Sequence, residues 1–485
     1  MSRNTRRSFL QQTAALGIGV GWSAGASARA VAANDKISVA CIGVRGRGNS
    51  VMHSFAAEPD VAVTHICDIN EAVRGQRGEE MKQKTGVMPK LVNDFRELLG
   101  DASIDAFMVA TPDHWHALLT IHGCLAGKDV YVEKPTSHNI VESRTAVAAA
   151  RKHDRIVQVG TQIRSAAFLH EAAEYVRSGA LGKVIFGRAW ETSRNGAVRL
   201  GPDSEPPRGF DYEIWQGPAP QRPYNATIVG GAWRWLFDYG TGDLGNDGVH
   251  RIDYCRYVMG QEGPPQSVSC AGGKLFFTDD DQEWPDTLLV NYEYPDQVLQ
   301  YEMRLWSKPR LFGAGEGAAI YGENGWMLVT NSSWTAYDAA GQVVKQGESS
   351  PAQAQQVHIR NFLDAMRSRQ RQSLNQELYS GHVSTLMCHA GHIAWRTGKK
   401  LRLDAQTESF DDAAANQFLG REHRKGYELP KIIGEAGSIG SCCPRGPWTA
   451  GPHCSCTSPG RADSSPCRPA SGPARRAGAP PDRLG

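Results

Sequence analysis

Residues 37–48 read Ile-Ser-Val-Ala-Cys-Ile-Gly-Val-Arg-Gly-Arg-Gly, a short apolar run that breaks into three closely spaced glycines, Gly43, Gly46 and Gly48. Such a run is a buried strand, and a glycine turn between a strand and a helix lets the backbone approach a pyrophosphate, which then sits at the positive end of the helix. The middle glycine of the usual G-x-G-x-x-G is replaced by Arg45, with Gly46 beside it. By itself this turn is a weak signal, because glycine-rich turns join many strands to helices. Asp68 strengthens it. It ends the next apolar run, Val61–Cys67, twenty residues beyond Gly48, where a carboxylate accepts hydrogen bonds from an adenosine ribose. A carboxylate there repels a 2′-phosphate, so NAD is expected and NADP remains possible, with Arg74 placed to soften the preference.

Outward from this turn the pattern alternates. Ile37–Ile42 is a strand, 50–57 a helix, Val61–Cys67 a strand, Glu71–Thr85 a helix, 104–110 a strand, 115–126 a helix, 130–132 a strand, 141–153 a helix and 156–159 a strand. Nearly continuous apolar strands alternating with helices predict a parallel, doubly wound Rossmann sheet over 36–160. After Gln162 the grammar changes. A helix over 168–177 and strand material over 184–192 precede a Pro/Gly-rich stretch from 201 to 242, and four tryptophans fall from Trp190 to Trp235. Strand-like runs at 288–294, 298–305, 318–321 and 327–329 follow one another with turn residues between them, then helices at 357–368 and 381–396. The expectation is an α/β fold. A second α/β domain over 161–433 carries a large open antiparallel sheet.

The two ends have different character. Thr5-Arg6-Arg7-Ser8-Phe9-Leu10, an apolar stretch from Thr13 to Trp22 and Ala28-Arg29-Ala30 have the order of a twin-arginine export signal over 1–33, which predicts a folded, periplasmic protein. The apolar stretch is far short of the roughly 20 residues that span a bilayer. From Ser441 to Gly485 there is no Lys, Glu, Gln, Asn, Ile, Val, Met, Phe or Tyr. Such a set cannot bury a core, so 434–485 is expected to be a disordered low-complexity tail. It looks more like a shifted reading frame than a domain. Five of the eleven cysteines lie there (Cys442, Cys443, Cys454, Cys456 and Cys467) without metal-ligand spacing, so no metal is expected. Cys41, Cys67, Cys124, Cys255, Cys270 and Cys388 are scattered singly through apolar segments and read as buried thiols. Lys and Arg number 53 against 51 Asp and Glu, with no basic run, which argues for a small-molecule ligand and against nucleic acid.

Two further constellations carry chemistry. Thr111-Pro112-Asp113-His114-Trp115-His116, Gly127-Lys128 and Glu133-Lys134-Pro135 each lie where a strand ends, on the ligand-binding edge of a parallel sheet. Asn246, His250 and Asp253 share a face by i, i+4 and i+7 spacing if Gly245–Asp253 opens a helix. The order of glycine loop, T-P-D-x-x-H, A-G-K and E-K-P resembles the glucose–fructose oxidoreductase/inositol dehydrogenase (Gfo/Idh/MocA) family. Gly160-Thr161-Gln162-Ile163-Arg164 and Trp215-Gln216-Gly217-Pro218-Ala219-Pro220 resemble its exported members, and similarity covers roughly 36–433.

The resemblance implies that Lys134 is a catalytic, substrate-orienting lysine near a nicotinamide. It also implies that Glu133 supports that end and that the Lys134–Pro135 bond is often cis. His250 would exchange the substrate's hydroxyl proton, with Asp253 beside it. Asn246 departs from the family's aspartate: an amide hydrogen-bonds a sugar but cannot take a proton, and Asp243 or Asp247 are the substitutes at hand. The expected catalytic set is therefore Lys134, His250 and Asp253. The cofactor set is Gly43, Arg45, Gly46, Arg47, Gly48, Asp68, Thr111, Pro112, His116, Glu133 and Lys134, and the substrate set is Gln162, Arg164, Asn246, Asp247 and His250.

The expected reaction transfers hydride between a secondary alcohol of a sugar-like or polyol substrate and nicotinamide. His250 would accept the hydroxyl proton while Lys134 stabilises charge on that oxygen. Trp190, Trp215, Trp233 and Trp235 are candidates to stack on a sugar ring or, equally, to fill a core. The rivals are an NAD-dependent glycosidase, which oxidises its sugar transiently and eliminates the aglycone, and a non-catalytic sugar or dinucleotide sensor, suggested by Asn246. Family members commonly self-associate, so a homo-oligomer is expected.

Overall fold

The computed structural model describes residues 36–192 and 196–432. The twin-arginine stretch and the tail with its five cysteines lie outside the described residues.

The first sheet is built from β1 (Ile37–Ile42), β2 (Val61–Cys67), β3 (Lys90–Val92), β4 (Ala106–Val109), β5 (Asp129–Val132) and β6 (Val157–Val159). Between them run α1 (Gly46–Phe55), α2 (Glu71–Thr85), α3 (Arg96–Leu99), α4 (Asp113–Leu125) and α5 (Ile140–Lys152). All six strands are parallel, in the order β3-β2-β1-β4-β5-β6. Every residue of β1 is buried, as a central strand covered on both faces requires. The strand order reverses between β1 and β4, and the crevice at that switch is where such sheets bind ligands. Caps fix the helix ends: the Asn70 and Asn139 side chains accept from Val73 N and Glu142 N, and Gly86 closes α2 at φ 80°. The first helix starts at Gly46 rather than at 50, so the glycine turn runs straight into it. The short β3 and α3 lie in a stretch where the sequence reading placed no element.

The second half holds α6 (Ala167–Arg177), β7 (Val184–Glu191), α7 (Tyr212–Gln216), α8 (Ala226–Gly230), α9 (Val249–Val258), β8 (Ser267–Gly273), β9 (Thr287–Glu293), β10 (Val298–Arg304) and β11 (Glu316–Gly322). It continues with β12 (Gly325–Val329), β13 (Ser333–Asp338), β14 (Val343–Glu348), α10 (Pro351–Ser368), α11 (Leu378–Thr397), β15 (Leu401–Asp404), β16 (Ser409–Phe410) and α12 (Ala413–Asn416). Its ten strands run β14-β13-β12-β11-β7-β10-β9-β8-β15-β16. The expected antiparallel sheet is in fact mixed, because β7 and β10 pair in parallel. The long chain between them, with α9 inside it, supplies the crossover a parallel pair needs. On one face Phe168 and Leu169 of α6, Ile252 and Cys255 of α9, and Leu386 and Met387 of α11 pack against Val290, Tyr292, Leu299 and Tyr301.

One helix crosses the boundary drawn from sequence. Ile359, Phe362 and Leu363 of α10 join Val39, Phe55 and Tyr131 in one core beneath the first sheet, and Arg360 pairs with Glu58 and Asp60. The first sheet thus completes its hydrophobic cover with a helix taken from far along the chain. This fixes the two halves against each other at the site.

Candidate active site

The glycine turn has a backbone that only glycine satisfies. Gly43 stands at φ 78°, and a Cβ there would meet Ala110 O and Thr111 Cγ2, both at 2.9 Å. A Cβ on Gly48 would lie 1.8 Å from Gly43 O. Close chain packing leaves the N–H groups that open α1 facing the crevice. Asp68 braces the same turn: its Oδ2 accepts from Val44 N at 3.0 Å and its Oδ1 from Asn70 N at 3.0 Å. Burial pushes the Asp68 carboxyl up, against the pull of those two backbone donors. Arg74, expected to soften a preference for NAD, donates instead to protein oxygens, Asp68 O and, at 3.1 Å, Asn93 Oδ1.

Opposite the turn, the Pro/Gly-rich segment lies across the crevice as a strap. Asp211 N donates to Ile69 O and Glu71 N to Gly209 O. Trp115 Nε1 donates to Trp215 O at 3.1 Å. Gly43, Arg45, Asp68, Thr111, Pro112 and Lys134 on one side and Phe210, Trp215, Val229 and Trp233 on the other enclose a cleft of about 320 Å³. Thr111 Oγ1 on its wall is buried with no protein partner, a polar atom left for a ligand. The glycine cradle, the carboxylate at the ribose position and this orphan hydroxyl fit a dinucleotide. Of the four tryptophans, Trp215 and Trp233 reach the cleft, whereas Trp190 is wholly buried and its indole donates to Ala314 O at 3.1 Å. Trp235 is packed against the second core.

At the far end of the cleft the turn after β5 is cis at Lys134–Pro135, as the resemblance implied. His116 bonds the carbonyls of Pro135 (2.6 Å) and Thr111 (2.8 Å), so this residue, expected on the cofactor, ties the two strand ends together while still lining the cleft. Arg47 Nε donates to Glu133 Oε1 at 2.9 Å. A Cβ on Gly160 would strike that carboxylate at 2.6 Å. Lys134 Nζ donates to Asn246 O at 2.6 Å and to Asn246 Oδ1 at 3.1 Å across 112 residues of chain. This contact joins the two halves of the molecule at the cleft.

Asn246 sits in a π-helical turn, Leu244–Gly248, that runs directly into α9. Widening the turn breaks the i, i+4, i+7 register assumed from sequence, and π segments of this kind concentrate at functional sites. Its outcome is a correction. Asp253 does not join Asn246 at the cleft: it is buried, accepting from Ser384 Oγ at 2.7 Å and Gln376 Nε2 at 2.9 Å. Arg164, expected at the substrate, is its ion-pair partner at 3.5 Å and lies 3.8 Å over the Tyr257 ring. Gln162, also expected at the substrate, turns its amide to donate to Gly160 O at 2.6 Å and accept from Arg47 Nη2 at 3.1 Å. These three residues hold β6, α9 and α11 in place around the site.

His250 is half-buried beside the lysine, and its Nδ1 is buried without a hydrogen-bond partner. Burial first, then the positive charges of Lys134, Arg251 and Arg47, hold its imidazole well below the ordinary histidine range. It is neutral at pH 7 and free to accept a proton. Among the described residues no group of three or more His, Cys, Asp or Glu is arranged to hold a metal ion, and no helix is long and apolar enough to cross a membrane.

Two family models match the chain: "Oxidoreductase family, NAD-binding Rossmann fold" over 37–161 and "Oxidoreductase family, C-terminal alpha/beta domain" over 178–429. A protein of Saccharopolyspora erythraea named glycosyl hydrolase family 109 protein is 29% identical over 212 residues, 38% of this chain and 44% of that one. The levoglucosan dehydrogenase of Pseudarthrobacter phenanthrenivorans is 26% identical over 170 residues, 35% of this chain and 36% of that one. The chain spans about half the length of the curated relatives it matches. A solved levoglucosan dehydrogenase in complex with NADH and levoglucosan has the same fold, with a TM-score of 0.60, 16% identity and coverage of 76% of this chain and 99% of that one.

Proposed function

The chain belongs to the Gfo/Idh/MocA oxidoreductase family, and from that premise we propose that it is an NAD-dependent oxidoreductase acting on a secondary alcohol of a sugar or polyol. The observation that carries this reading is the Lys134–Asn246 contact at the cleft, with a neutral His250 beside it. When bound in this cleft, NAD supplies the two-electron acceptor. Everything else falls to side chains. The Lys134 ammonium is positioned to hold the substrate oxygen and stabilise charge developing on it. His250 takes the hydroxyl proton. Asn246, which lines the cleft, offers its amide to a neighbouring hydroxyl, while Trp215 and Trp233 give an apolar wall to a sugar ring.

The similarity to a protein named for glycosyl hydrolase family 109 supports a second reading, an NAD-dependent glycosidase. It would use the same lysine and histidine for a transient oxidation. One experiment separates the two. Purified protein is mixed with a panel of free sugars and of aryl glycosides, following nicotinamide absorbance and aryl release together. Lasting reduction by a free sugar with an oxidised product supports the dehydrogenase. Aryl release without net reduction supports the glycosidase. Saccharide binding with neither change would contradict both and leave a sensor.

The order of charge, apolar run and small residues in 1–33 further supports export through the twin-arginine route to the periplasm. A mature protein that retains Arg6 and Arg7 would oppose it. A row of aromatic residues crosses the second sheet, Phe186, Tyr321, Trp326 and Tyr337 on neighbouring strands. It supports a homo-oligomer formed through that sheet.

A further inference from the structure

The amide of Asn246 is oriented by charge on both sides. Its Oδ1 accepts from Lys134 Nζ at 3.1 Å, and its Nδ2 points to Asp247 Oδ2 at 3.3 Å and Asp243 Oδ1 at 3.5 Å. A carboxylate at 246 would stand against two others at those distances, and like charges so close cannot all ionise. The amide removes that conflict and leaves two carboxyl groups next to it. Asp243 is 2% exposed, and its Oδ2 is buried without a hydrogen-bond partner. Around it stand Asp247 and Asn246 on the π turn, Lys134 from the first sheet, Glu191 on β7 and Tyr301 on β10, whose hydroxyl is likewise buried and unpartnered. Beyond Glu191 lies Arg251 of α9, which pairs with it at 3.4 Å and with Glu316.

Resting on the oxidoreductase reading above, we propose that Asp243, held on the Asn246 amide next to Asp247, carries one exchangeable proton and supplies the carboxylate function that Asn246 cannot, as the positioning residue that balances the charge of His250. Oxidation of one CH–OH carbon sends a hydrogen with its electron pair to NAD and leaves one proton, which His250 receives. The imidazolium so formed sits among Lys134, Arg251 and Arg47 and is opposed by their charge. Asp243 releases its own proton to solvent as His250 gains one, so the summed charge of these two side chains is unchanged, the nicotinamide loses its positive charge on taking the hydride, and one proton leaves per alcohol oxidised. Burial, then Asp247 and Glu191, raise the Asp243 carboxyl well above the ordinary carboxylate range, which keeps it protonated in the resting site.

The test uses the full chain with NAD bound and the sugar that reduces it. Four variants are compared with the unaltered protein: Asp243→Asn, Asp247→Asn, Asn246→Asp and the double variant Asp243→Asn/Asn246→Asp. Three quantities are read: the pH profile of cofactor reduction, the infrared band of a protonated carboxyl, and the NAD retained. In the unaltered protein the rate should rise with pH through a limb above the ordinary carboxylate range. Asp243→Asn should lose the limb and the infrared band, react about 100-fold slower and keep its NAD. Adding Asn246→Asp to it should recover at least about tenfold. Asp247→Asn should relax the pair and move the limb down. An unchanged limb and band in Asp243→Asn would overturn the proposal. Should that variant not fold, Asn246→Asp alone decides: a third carboxylate should push the limb upward, and an unmoved limb contradicts the proton on Asp243. If no sugar reduces the unaltered protein, the oxidoreductase reading fails, while the infrared band of Asp243 still reports whether the proton is there.

Discussion

The two ends of the cleft are made in different ways. At the glycine end, residues 43–48, Asp68 and Thr111 come from three strand ends of one sheet, and the backbone supplies most of the contacts: close chain approach at Gly48, donors from Val44 and Asn70, the start of α1. At the reacting end, Lys134 and Asn246 meet across 112 residues, through a π turn and a set of buried charges. On the proposed function, dinucleotide binding rests on main-chain shape, and reaction on side chains that two halves of the molecule bring together. Loss of reaction should therefore leave dinucleotide binding intact.

The sharpest way to break the first end is Gly48→Ala. A methyl 1.8 Å from Gly43 O cannot be relieved by any side-chain rotation, so the turn must open. NAD affinity should fall by about 100-fold or more, equivalent to roughly 2.7 kcal/mol. Isothermal titration measures it. Gly75→Ala, where no atom lies within 4 Å of the added methyl, is the control and should bind normally. Equal binding by both variants would remove the cradle from the account.

A smaller effect is expected at the ribose. Asp68→Ser should lower the ratio of NAD to NADP affinity by about tenfold, the scale of one charged hydrogen bond. Arg74 cannot take over phosphate recognition while it is held by Asp68 O and Asn93. Tighter NADP binding by the unaltered protein would place the carboxylate elsewhere.

Acid should act on the frame around the reacting end. His114 is buried between Tyr239 O and Trp215 O and held down to about 3. His358, bonded to Val159 O, and His389 are held down to about 4, each chiefly by burial. An unfolded chain protonates these rings near pH 6.5 and the folded one does not. The stability they contribute is therefore whole above pH 6.5 and is lost as pH falls toward 4, by up to about 1.4 kcal/mol per ring per pH unit. Urea midpoints at pH 7, 5.5 and 4.5 should decline steadily. A flat midpoint would mean the rings are already charged in the fold.

What the sequence made legible follows the same division. The strands β1 and β2, the glycine turn and Asp68 lie in short contiguous stretches whose placement follows from local pattern, whereas the role expected of Lys134 comes from the family resemblance. The return of α10 beneath the first sheet and the parallel pairing of β7 with β10 are decided by tertiary packing, which no local period records. The misplaced residues share one cause. Asp253 and Arg164 have the residue types of a site, but the π turn rotates Asp253 into the protein, where the two neutralise each other. Two glycine-dependent turns were the available hint, since a Cβ on Gly245 would strike Thr241 Oγ1 at 2.1 Å and one on Gly248 would strike Tyr301 OH at 2.6 Å.

The separation of binding from reaction is tested most directly by Lys134→Ala and His250→Ala, each assayed in one preparation for NAD retained and for its reduction by the sugar active with the unaltered protein. Both variants should hold dinucleotide at the unaltered stoichiometry and react about 10²–10⁴-fold slower. Full turnover in both, or loss of dinucleotide in step with loss of turnover, would contradict the account.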